Sequence, residues 1–185
     1  MVPLSDMPKV FIGVGSNLGD RASYLEFAQK ELLSLGVTAI EYSPVYETKP
    51  VEAEGGPFLN AVWSFETQLA PQALLDKLHE IENRANRRRH KPNQARTLDL
   101  DILFYGDQVV RTPGMSVPHP RLHERMFVLV PFCDLAPQWR HPVLGRTMKK
   151  ILKDLNTGEQ GPAGVRKIDP TFAIPRDKNE THPRS

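Results

Sequence analysis

The 185-residue chain has little of what marks redox, zinc-binding or membrane proteins. Its one cysteine, Cys133, can form neither an internal disulfide nor a thiolate metal site by itself. The longest apolar run, residues 127–132, is far shorter than the roughly 20 residues that a membrane-spanning helix needs. Residues 1–6 lack the charged and apolar halves of a secretion signal. We therefore expect a cytosolic protein without redox chemistry and without membrane partners.

The net charge of +2 is too small to indicate a nucleic-acid-binding protein, but the positive charge is unevenly distributed. One short stretch contains Arg84, Arg87, Arg88, Arg89, Lys91 and Arg96. Such a cluster is commonly a solvated helix end or loop, and it can also be an RNA-binding patch or a site for a polyphosphate. Composition alone leaves these interpretations open.

Hydrophobic periodicity predicts one domain in which strands and helices alternate. Strands are predicted at residues 9–15, 37–46, 58–67 and 98–105, and helices at 20–35 and 71–85. The order β-α-β-β-α-β is typical of an α+β, ferredoxin-like fold, with an antiparallel sheet and both helices on one face. A short strand near 109–110 and helical segments at 121–129 and 147–155 are C-terminal additions. We expect a single domain over 9–155 and a loose tail, rich in proline, glycine and charge, over 156–185.

Two acidic residues on the last predicted strand of this series give the sharpest chemical signal. Asp99 and Asp101 are two residues apart, so both carboxylates face the same side, with their bases about 6.6 Å apart. Hard oxygen ligands suit Mg²⁺, and Arg96 with the basic stretch precedes the pair, as a site for ATP with Mg²⁺ requires. The opposite face of the strand is predicted to supply core residues Leu98, Leu100, Ile102 and Phe104. The alternative is an exposed polar face of an edge strand.

Two glycine-rich nucleotide motifs are missing. Residues 13–19 read G-V-G-S-N-L-G between a strand and a helix, but the spacing differs from that of a dinucleotide loop. The sequence G-x-x-x-x-G-K-[ST] of P-loop kinases is absent from the chain. Triphosphate binding must therefore depend on side chains.

Three other side-chain groups are candidates for ligand binding. Prolines on both sides of His119 restrict its backbone and would hold the imidazole in place at little entropic cost. Phe58 with Asn60, and Phe127, fit ordinary core positions, but an aromatic ring beside an amide also fits a flat heterocycle. Distance along the sequence does not show whether these groups meet.

Four segments occur in the order found in one enzyme family. They are G-S-N-L-G-D at 15–20, F-L-N at 58–60, R-T-L-D-L-D at 96–101, and V-P-H-P-R at 117–121 followed by Arg125 and Phe127. From about residue 9 to residue 155 the chain resembles 6-hydroxymethyl-7,8-dihydropterin pyrophosphokinase. The resemblance implies that a diphosphate moves from ATP to the hydroxymethyl-dihydropterin in folate biosynthesis, giving AMP and the pterin diphosphate. It also implies two Mg²⁺ ions, ATP as co-substrate, and no nucleic-acid partner; we expect a monomer.

The resemblance implies roles for particular side chains in the phosphate site. The aspartates that bind both Mg²⁺ ions in the family match Asp99 and Asp101. The residues that contact the nucleotide phosphates match Arg87, Arg89, Arg96 and His119, with Arg125 as a further candidate. Catalysis is expected to involve the two aspartates together with Arg87 and Arg96.

The resemblance also implies a pterin site. The ring is expected to lie between aromatic side chains that match Phe58 and Phe127. Asn60 and the backbone around Thr48 are expected to contact its edge.

The chain departs from the family pattern at two places. Many members have Trp-Gly and one additional residue before R-T-L-D-L-D, whereas residues 90–95 read H-K-P-N-Q-A. Some members have an arginine five residues before the histidine, where this chain has Gly114. Contacts made by that tryptophan and that arginine are therefore missing or replaced here.

Two alternative functions come from other classes. An RNA-binding module can share the β-α-β-β-α-β order, but the chain lacks the RNP aromatic pattern, and Asp99 and Asp101 would repel a phosphate backbone. A non-catalytic nucleotide sensor on the same fold is the second alternative. Production of AMP in the presence of a hydroxymethyl-dihydropterin would separate both from the enzyme.

Overall fold

A computed structural model describes residues 7–49, 55–86, 95–156 and 164–168. These residues form a mixed fold of antiparallel strands and α-helices. The strands are β1 (Lys9–Ser16), β2 (Thr38–Tyr42), β3 (Tyr46–Thr48), β4 (Phe58–Glu66), β5 (Asp99–Tyr105), β6 (Val110–Thr112), β7 (Met115–Val117) and β8 (Val165–Lys167). The helices are α1 (Arg21–Ser34), α2 (Pro71–Arg84), α3 (Met126–Leu135) and α4 (Met148–Asn156), with a 3₁₀ helix at Leu122–Glu124.

The main sheet has β1 and β4 at its centre. Its strand order is β5-β1-β4-β3-β8, with β2 also paired to β4, and every pairing is antiparallel. The strand predicted over residues 37–46 is divided into β2 and β3, and Pro44 lies between them. Proline lacks the backbone N–H that a continuous ladder requires, which explains the interruption.

Helices cover both faces of this sheet. On one face, Ile12 of β1 packs in a core with Leu32 of α1 and Leu78 of α2. On the other face, Phe11 packs in a second core with Phe132 of α3 and Ile151 of α4. The two predicted helices thus share one face, and the C-terminal helices cover the other. Within the described ranges, no helix is both long enough and apolar enough to cross a membrane.

Sequence signals explain where these helices begin and end. The side chain of Asp20 caps α1 by accepting a hydrogen bond from the Ser23 N–H at 3.2 Å. After α1, Gly36 has a φ of +73°, a conformation that favours glycine at a helix end. Pro71 occupies the first turn of α2, where a missing N–H costs nothing.

β5 contains a β-bulge, which changes the face of the sheet on which Phe104 lies. Phe11 lies opposite Phe104 but Ile12 lies opposite Ile102, so Leu103 is an extra residue in the strand. Ile102 therefore belongs to the core under α1 and α2, whereas Leu103 and Phe104 both belong to the core under α3 and α4. The prediction that Phe104 shares a face with Leu98, Leu100 and Ile102 was wrong.

The C-terminal segment, expected to be loose over 156–185, contributes an edge strand. β8 pairs with β3, with Lys167 opposite Tyr46 and Val165 opposite Thr48. The Arg166 guanidinium donates to the Glu47 carboxylate at 2.8 Å and thereby reinforces the pairing. This strand extends the sheet beyond β3.

Candidate functional site

The predicted site residues meet above a glycine on β1. Gly15 lies opposite Asp99 of β5 on one side and opposite Asn60 of β4 on the other. A β-carbon added at Gly15 would lie 3.0 Å from Asn60 Oδ1, 3.7 Å from Phe58 Cδ1 and 3.8 Å from Asp99 Cβ. Because Gly15 has no side chain, the surface between the Asp99 carboxylate and the Asn60 amide is open; this surface above Gly15 is called the floor of the site. Pairing across the sheet brings together groups that are far apart in the sequence.

The acidic pair is half-buried beside cationic side chains. Asp99 and Asp101 are on the same face of β5, and Asp99 forms an ion pair with Arg96. Burial lowers the pKa of the Arg125 guanidinium, and the nearby carboxylates of Asp101 and Asp99 oppose that shift. Arg125 thus shares the electrostatic field of both aspartates. In the structure, Arg96 and Arg125 therefore both lie beside the acidic pair.

His119 belongs to the same group of side chains. Burial lowers its pKa to about 4, Arg125 adds to the shift, and Asp99 opposes it, so the imidazole is neutral near pH 7. The backbone N–H of Arg121 donates to His119 Nδ1 at 3.2 Å. Because Nδ1 accepts, the proton of the neutral ring is on Nε2, which can donate to an anionic ligand.

The segment that carries His119 is fixed by backbone contacts. The His119 N–H donates to the Leu103 carbonyl at 3.1 Å, which attaches the segment to the bulge of β5. The Arg111 guanidinium donates to the carbonyls of Val117 and Pro118 at 3.0 and 3.4 Å. These bonds restrict the histidine more than its flanking prolines could alone.

The other end of the floor carries the predicted heterocycle-binding residues. Asn60 Nδ2 donates to Thr48 Oγ1 at 2.6 Å, and both residues are buried. Asn60 Oδ1 remains directed at the space above Gly15. Phe58 is only half-buried, two residues earlier on the same face of β4. These three residues form one arrangement around β3 and β4.

Phe127 lies on the rim of the core under α3 and α4. It is half-buried in the first turn of α3, and the Arg125 guanidinium is 5.6 Å from the centre of its ring. Phe127 is therefore linked to the acidic pair through Arg125. Arg87 and Arg89, the remaining predicted site residues, lie outside the described residues.

Sequence reasoning missed several residues that shape the site. Glu82 of α2 is buried, and its carboxylate accepts a hydrogen bond from the Leu100 N–H at 2.8 Å, between the two aspartates. Asn17 is buried at the end of β1 and contacts two other segments. Glu82 could have been identified from the sequence, because it is an acidic residue among the apolar core positions of α2. The hydrogen bonds of Arg111 to the segment before His119 are visible only in three dimensions.

The acidic pair fits a divalent cation that also binds a phosphate. Carboxylate oxygens are the ligands that Mg²⁺ prefers, and it commonly takes one or two of them from a protein and the others from phosphate and water. Within the described part of the chain, no cluster of three or more His, Cys, Asp or Glu side chains could hold a metal. Asp99 and Asp101, two carboxylates on one face of β5, are donors of the kind that a divalent cation accepts.

Comparison with known proteins agrees with this geometry. The family model described as 7,8-dihydro-6-hydroxymethylpterin-pyrophosphokinase (HPPK) matches residues 11–137. This range covers more than half of the chain and includes all of the site residues described above.

Similar proteins carry related names. The 2-amino-4-hydroxy-6-hydroxymethyldihydropteridine pyrophosphokinase of Aquifex aeolicus is 38% identical over 146 residues, which cover 78% of this chain and 91% of that protein. The enzyme of the same name from Bacillus subtilis is 41% identical over 130 residues, covering 69% of this chain and 78% of that protein. The folic acid synthesis protein fol1 of Pneumocystis carinii is 38% identical over 81% of this chain, which spans only 20% of that longer protein.

A solved structure shares the fold at low sequence identity. The Plasmodium falciparum HPPK-DHPS chain aligns with a TM-score of 0.70 and 15% identity, over 88% of this chain and 49% of that chain. The family match over residues 11–137 and the enzymes of Aquifex aeolicus and Bacillus subtilis, at 38% and 41% identity, show that the chain belongs to the 7,8-dihydro-6-hydroxymethylpterin-pyrophosphokinase family.

Proposed function

We propose that the protein transfers a diphosphate from ATP to 6-hydroxymethyl-7,8-dihydropterin in folate biosynthesis, giving AMP and the pterin diphosphate. The observation that carries this proposal is the placement of Asp99 and Asn60 on opposite sides of Gly15. If Asp99 belongs to a phosphate-binding end and Asn60 to a heterocycle-binding end, the two ends share the open surface above Gly15. The names of the family and its members support the same reaction. They give no support to an RNA-binding module or a nucleotide sensor.

The cationic end would bind the triphosphate. Arg96 and Arg125 supply fixed positive charge, and His119 supplies an Nε2–H donor while it is neutral. Because Arg96 is ion-paired with Asp99, its guanidinium is already held beside the acidic pair. Arg87 and Arg89 are proposed to contact the phosphates as well, on the basis of the family pattern.

Asp99 and Asp101 would hold two Mg²⁺ ions together with the nucleotide. When bound, the ions neutralise charge on the transferred diphosphate and orient the attacking and leaving oxygens. The protein contributes two oxygen donors that β5 fixes on one face, and the Glu82 carboxylate fixes the strand between them. Preorganised ligands of this kind need little rearrangement during the reaction.

The amide end would read the edge of the pterin. Asn60 gives its amide hydrogen to Thr48, which leaves Oδ1 as an acceptor for the ring N–H and amino groups of a pterin. Phe58 and Phe127 are both half-buried on this side of the sheet, and each can offer an aromatic face to a flat ring. This arrangement would direct the hydroxymethyl group towards the phosphate-binding end.

The reaction would then depend mainly on alignment. The hydroxymethyl oxygen attacks the β-phosphorus and releases its proton to solvent, the bond from that phosphorus to the α-phosphate oxygen breaks, and AMP leaves. Phosphoryl transfer requires positioning and charge neutralisation more than covalent work by the protein. We therefore assign the rate enhancement to Asp99, Asp101 and the cations around them.

The strand order supports a ferredoxin-like classification. If β2 and β3 are counted as one interrupted strand, the chain follows the order β-α-β-β-α-β up to β5. The sheet is antiparallel, and α1 and α2 share one face, as that fold requires.

The test is to incubate the protein with ATP, Mg²⁺ and 6-hydroxymethyl-7,8-dihydropterin and to separate the products. We expect equal amounts of AMP and pterin diphosphate, and no AMP when the pterin or Mg²⁺ is omitted. Formation of ADP, or release of AMP that does not depend on the pterin, would contradict the proposal. Binding of ATP without any turnover would favour the nucleotide sensor.

A further inference from the structure

Asn17 lies in the glycine-rich segment after β1 and forms two hydrogen bonds with the backbone of Arg96. The Asn17 N–H donates to the Arg96 carbonyl at 3.0 Å, and Asn17 Oδ1 accepts from the Arg96 N–H at 2.6 Å. One residue thus pairs with both backbone groups of Arg96, just before β5 begins. Asn17 is only 5% exposed, so these bonds form away from bulk water.

The same side chain also reaches the segment that precedes β4. Asn17 Nδ2 donates to the Gly56 carbonyl at 3.3 Å. Gly55 has a φ of +105°, and a β-carbon at that position would lie 2.7 Å from Asn17 Nδ2 and 3.0 Å from Ala95 Cβ. Gly55 therefore approaches Asn17 and Ala95 as closely as a glycine permits.

This junction connects the two ends of the site. Gly56 is two residues before Phe58, in the heterocycle-binding end, and Arg96 is three residues before Asp99, in the phosphate-binding end. A single buried side chain with one acceptor and one donor holds both segments at a fixed separation. If a ligand stabilises one segment in this position, the other segment is also held in place for the second ligand.

We propose that Asn17 is a positioning residue that couples nucleotide binding to pterin binding. The inference rests on the function proposed above, and it goes beyond that function by assigning the coupling to one side chain. Aspartate at this position would keep the acceptor for the Arg96 N–H but lose the amide donor to Gly56. Alanine would remove the hydrogen bonds of the side chain to both Arg96 and Gly56.

The experiment measures pterin affinity by calorimetry, using 6-hydroxymethylpterin with and without a non-hydrolysable ATP analogue and Mg²⁺. We expect the analogue to increase pterin affinity in the parent protein. In Asn17→Ala the increase should shrink by at least about fivefold, the lower end of typical couplings, and KM for both substrates should rise. Asn17→Asp should also lose the coupling, but its affinity for the nucleotide alone should be higher than that of Asn17→Ala.

Gln29→Ala is the matched control. Gln29 of α1 is also 5% exposed, and its amide donates to the Tyr42 hydroxyl of β2 at 2.9 Å, away from the site. This change should lower the melting temperature without altering the coupling. If Asn17→Ala does not fold, Gly55→Ala disturbs the same junction from the opposite segment and should also reduce the coupling.

Two outcomes would overturn the inference. One is an Asn17→Ala protein that loses stability as Gln29→Ala does but keeps the parent coupling and both KM values. The other is an active parent protein in which the analogue leaves pterin affinity unchanged. A parent protein that forms no AMP would instead contradict the proposed function, so the two failures are distinguishable.

Discussion

Gly15 of β1 lies directly opposite Asn60 of β4, and a β-carbon at Gly15 would be 3.0 Å from Asn60 Oδ1. We expect Gly15→Ala to push the Asn60 amide away from its position and to weaken pterin binding about tenfold, roughly the value of one hydrogen bond. Calorimetry with 6-hydroxymethylpterin, in the presence of an ATP analogue, measures this effect.

Gly13→Ala is the control for that change. Gly13 is two residues earlier on the same face, and a β-carbon there would be 3.5 Å from Leu103 Cδ2, an ordinary van der Waals distance. It should leave pterin affinity within about twofold of the parent. Equal losses of affinity in the two variants would show that the floor above Gly15 has no special role.

Replacement of the acidic pair should separate catalysis from folding. We expect Asp101→Asn to lower kcat/KM by at least about 10²-fold, because one preorganised charged ligand is lost. Its melting temperature should fall only modestly, since Asp101 supplies no core packing and the Arg125 guanidinium beside it keeps the carboxylate of Asp99 nearby. Asp99→Asn should lose as much activity but also some stability, because Arg96 loses its ion-pair partner.

Asp107→Asn is the control for the acidic pair. Asp107 is exposed in the turn that follows β5, so its replacement should leave both activity and stability unchanged. The central assignment would be wrong if either Asp99→Asn or Asp101→Asn folded normally and formed AMP at nearly the parent rate.

His141 should make folding stability depend on pH. Burial lowers its pKa to about 4, and His123, Arg111 and Arg146 add to the shift. The unfolded chain takes up this proton below about pH 6.5, whereas the folded protein does so only near pH 4. Stability is therefore lost as pH falls from 6.5 to 4.

We expect His141→Asn to reduce the loss of unfolding free energy between pH 7 and pH 5 by on the order of 1 kcal/mol. Urea denaturation at the two pH values measures this difference. His119, whose pKa is also lowered to about 4, remains in the variant, so part of the pH dependence should persist. Parallel stability curves for parent and variant would contradict the assignment.

The ion pair between Arg166 of β8 and Glu47 of β3 should affect the pKa of Glu47 more than the free energy of unfolding. Arg166 lowers the pKa of the Glu47 carboxyl, Arg21 adds to the effect, and burial opposes it. Arg166→Gln should raise the pKa of Glu47, measured by carboxyl titration in NMR, and should cost less than about 1 kcal/mol. Arg146→Gln, which breaks a surface ion pair with Asp154, should leave the Glu47 titration unchanged.

The residues whose roles depend on local spacing could be predicted from the sequence. Asp99 and Asp101 lie on one face because strand geometry requires it, and the helices α1 and α2 follow from apolar spacing and end signals. The bulge at Leu103 could not be predicted, because the same run of apolar residues fits regular and bulged pairing equally well.

Contacts between distant segments were also beyond sequence reasoning. The opposition of Gly15 and Asn60 depends on the register between β1 and β4, and the contact of Asn17 with Gly56 depends on how two loops meet. β8 was missed because its three residues, V-R-K, have little apolar character. Pairing with β3 and the ion pair to Glu47 stabilise it instead.

The position of β8 has a practical consequence for anyone who shortens this protein. Without β8, the Tyr46–Thr48 strand would become a sheet edge with unpaired backbone groups, and such edges recruit strands from other molecules. A version that ends at Asn156 should therefore self-associate as its concentration rises. Because Tyr46 of β3 lies opposite Asn60, capture of this strand should reduce pterin binding as aggregation develops.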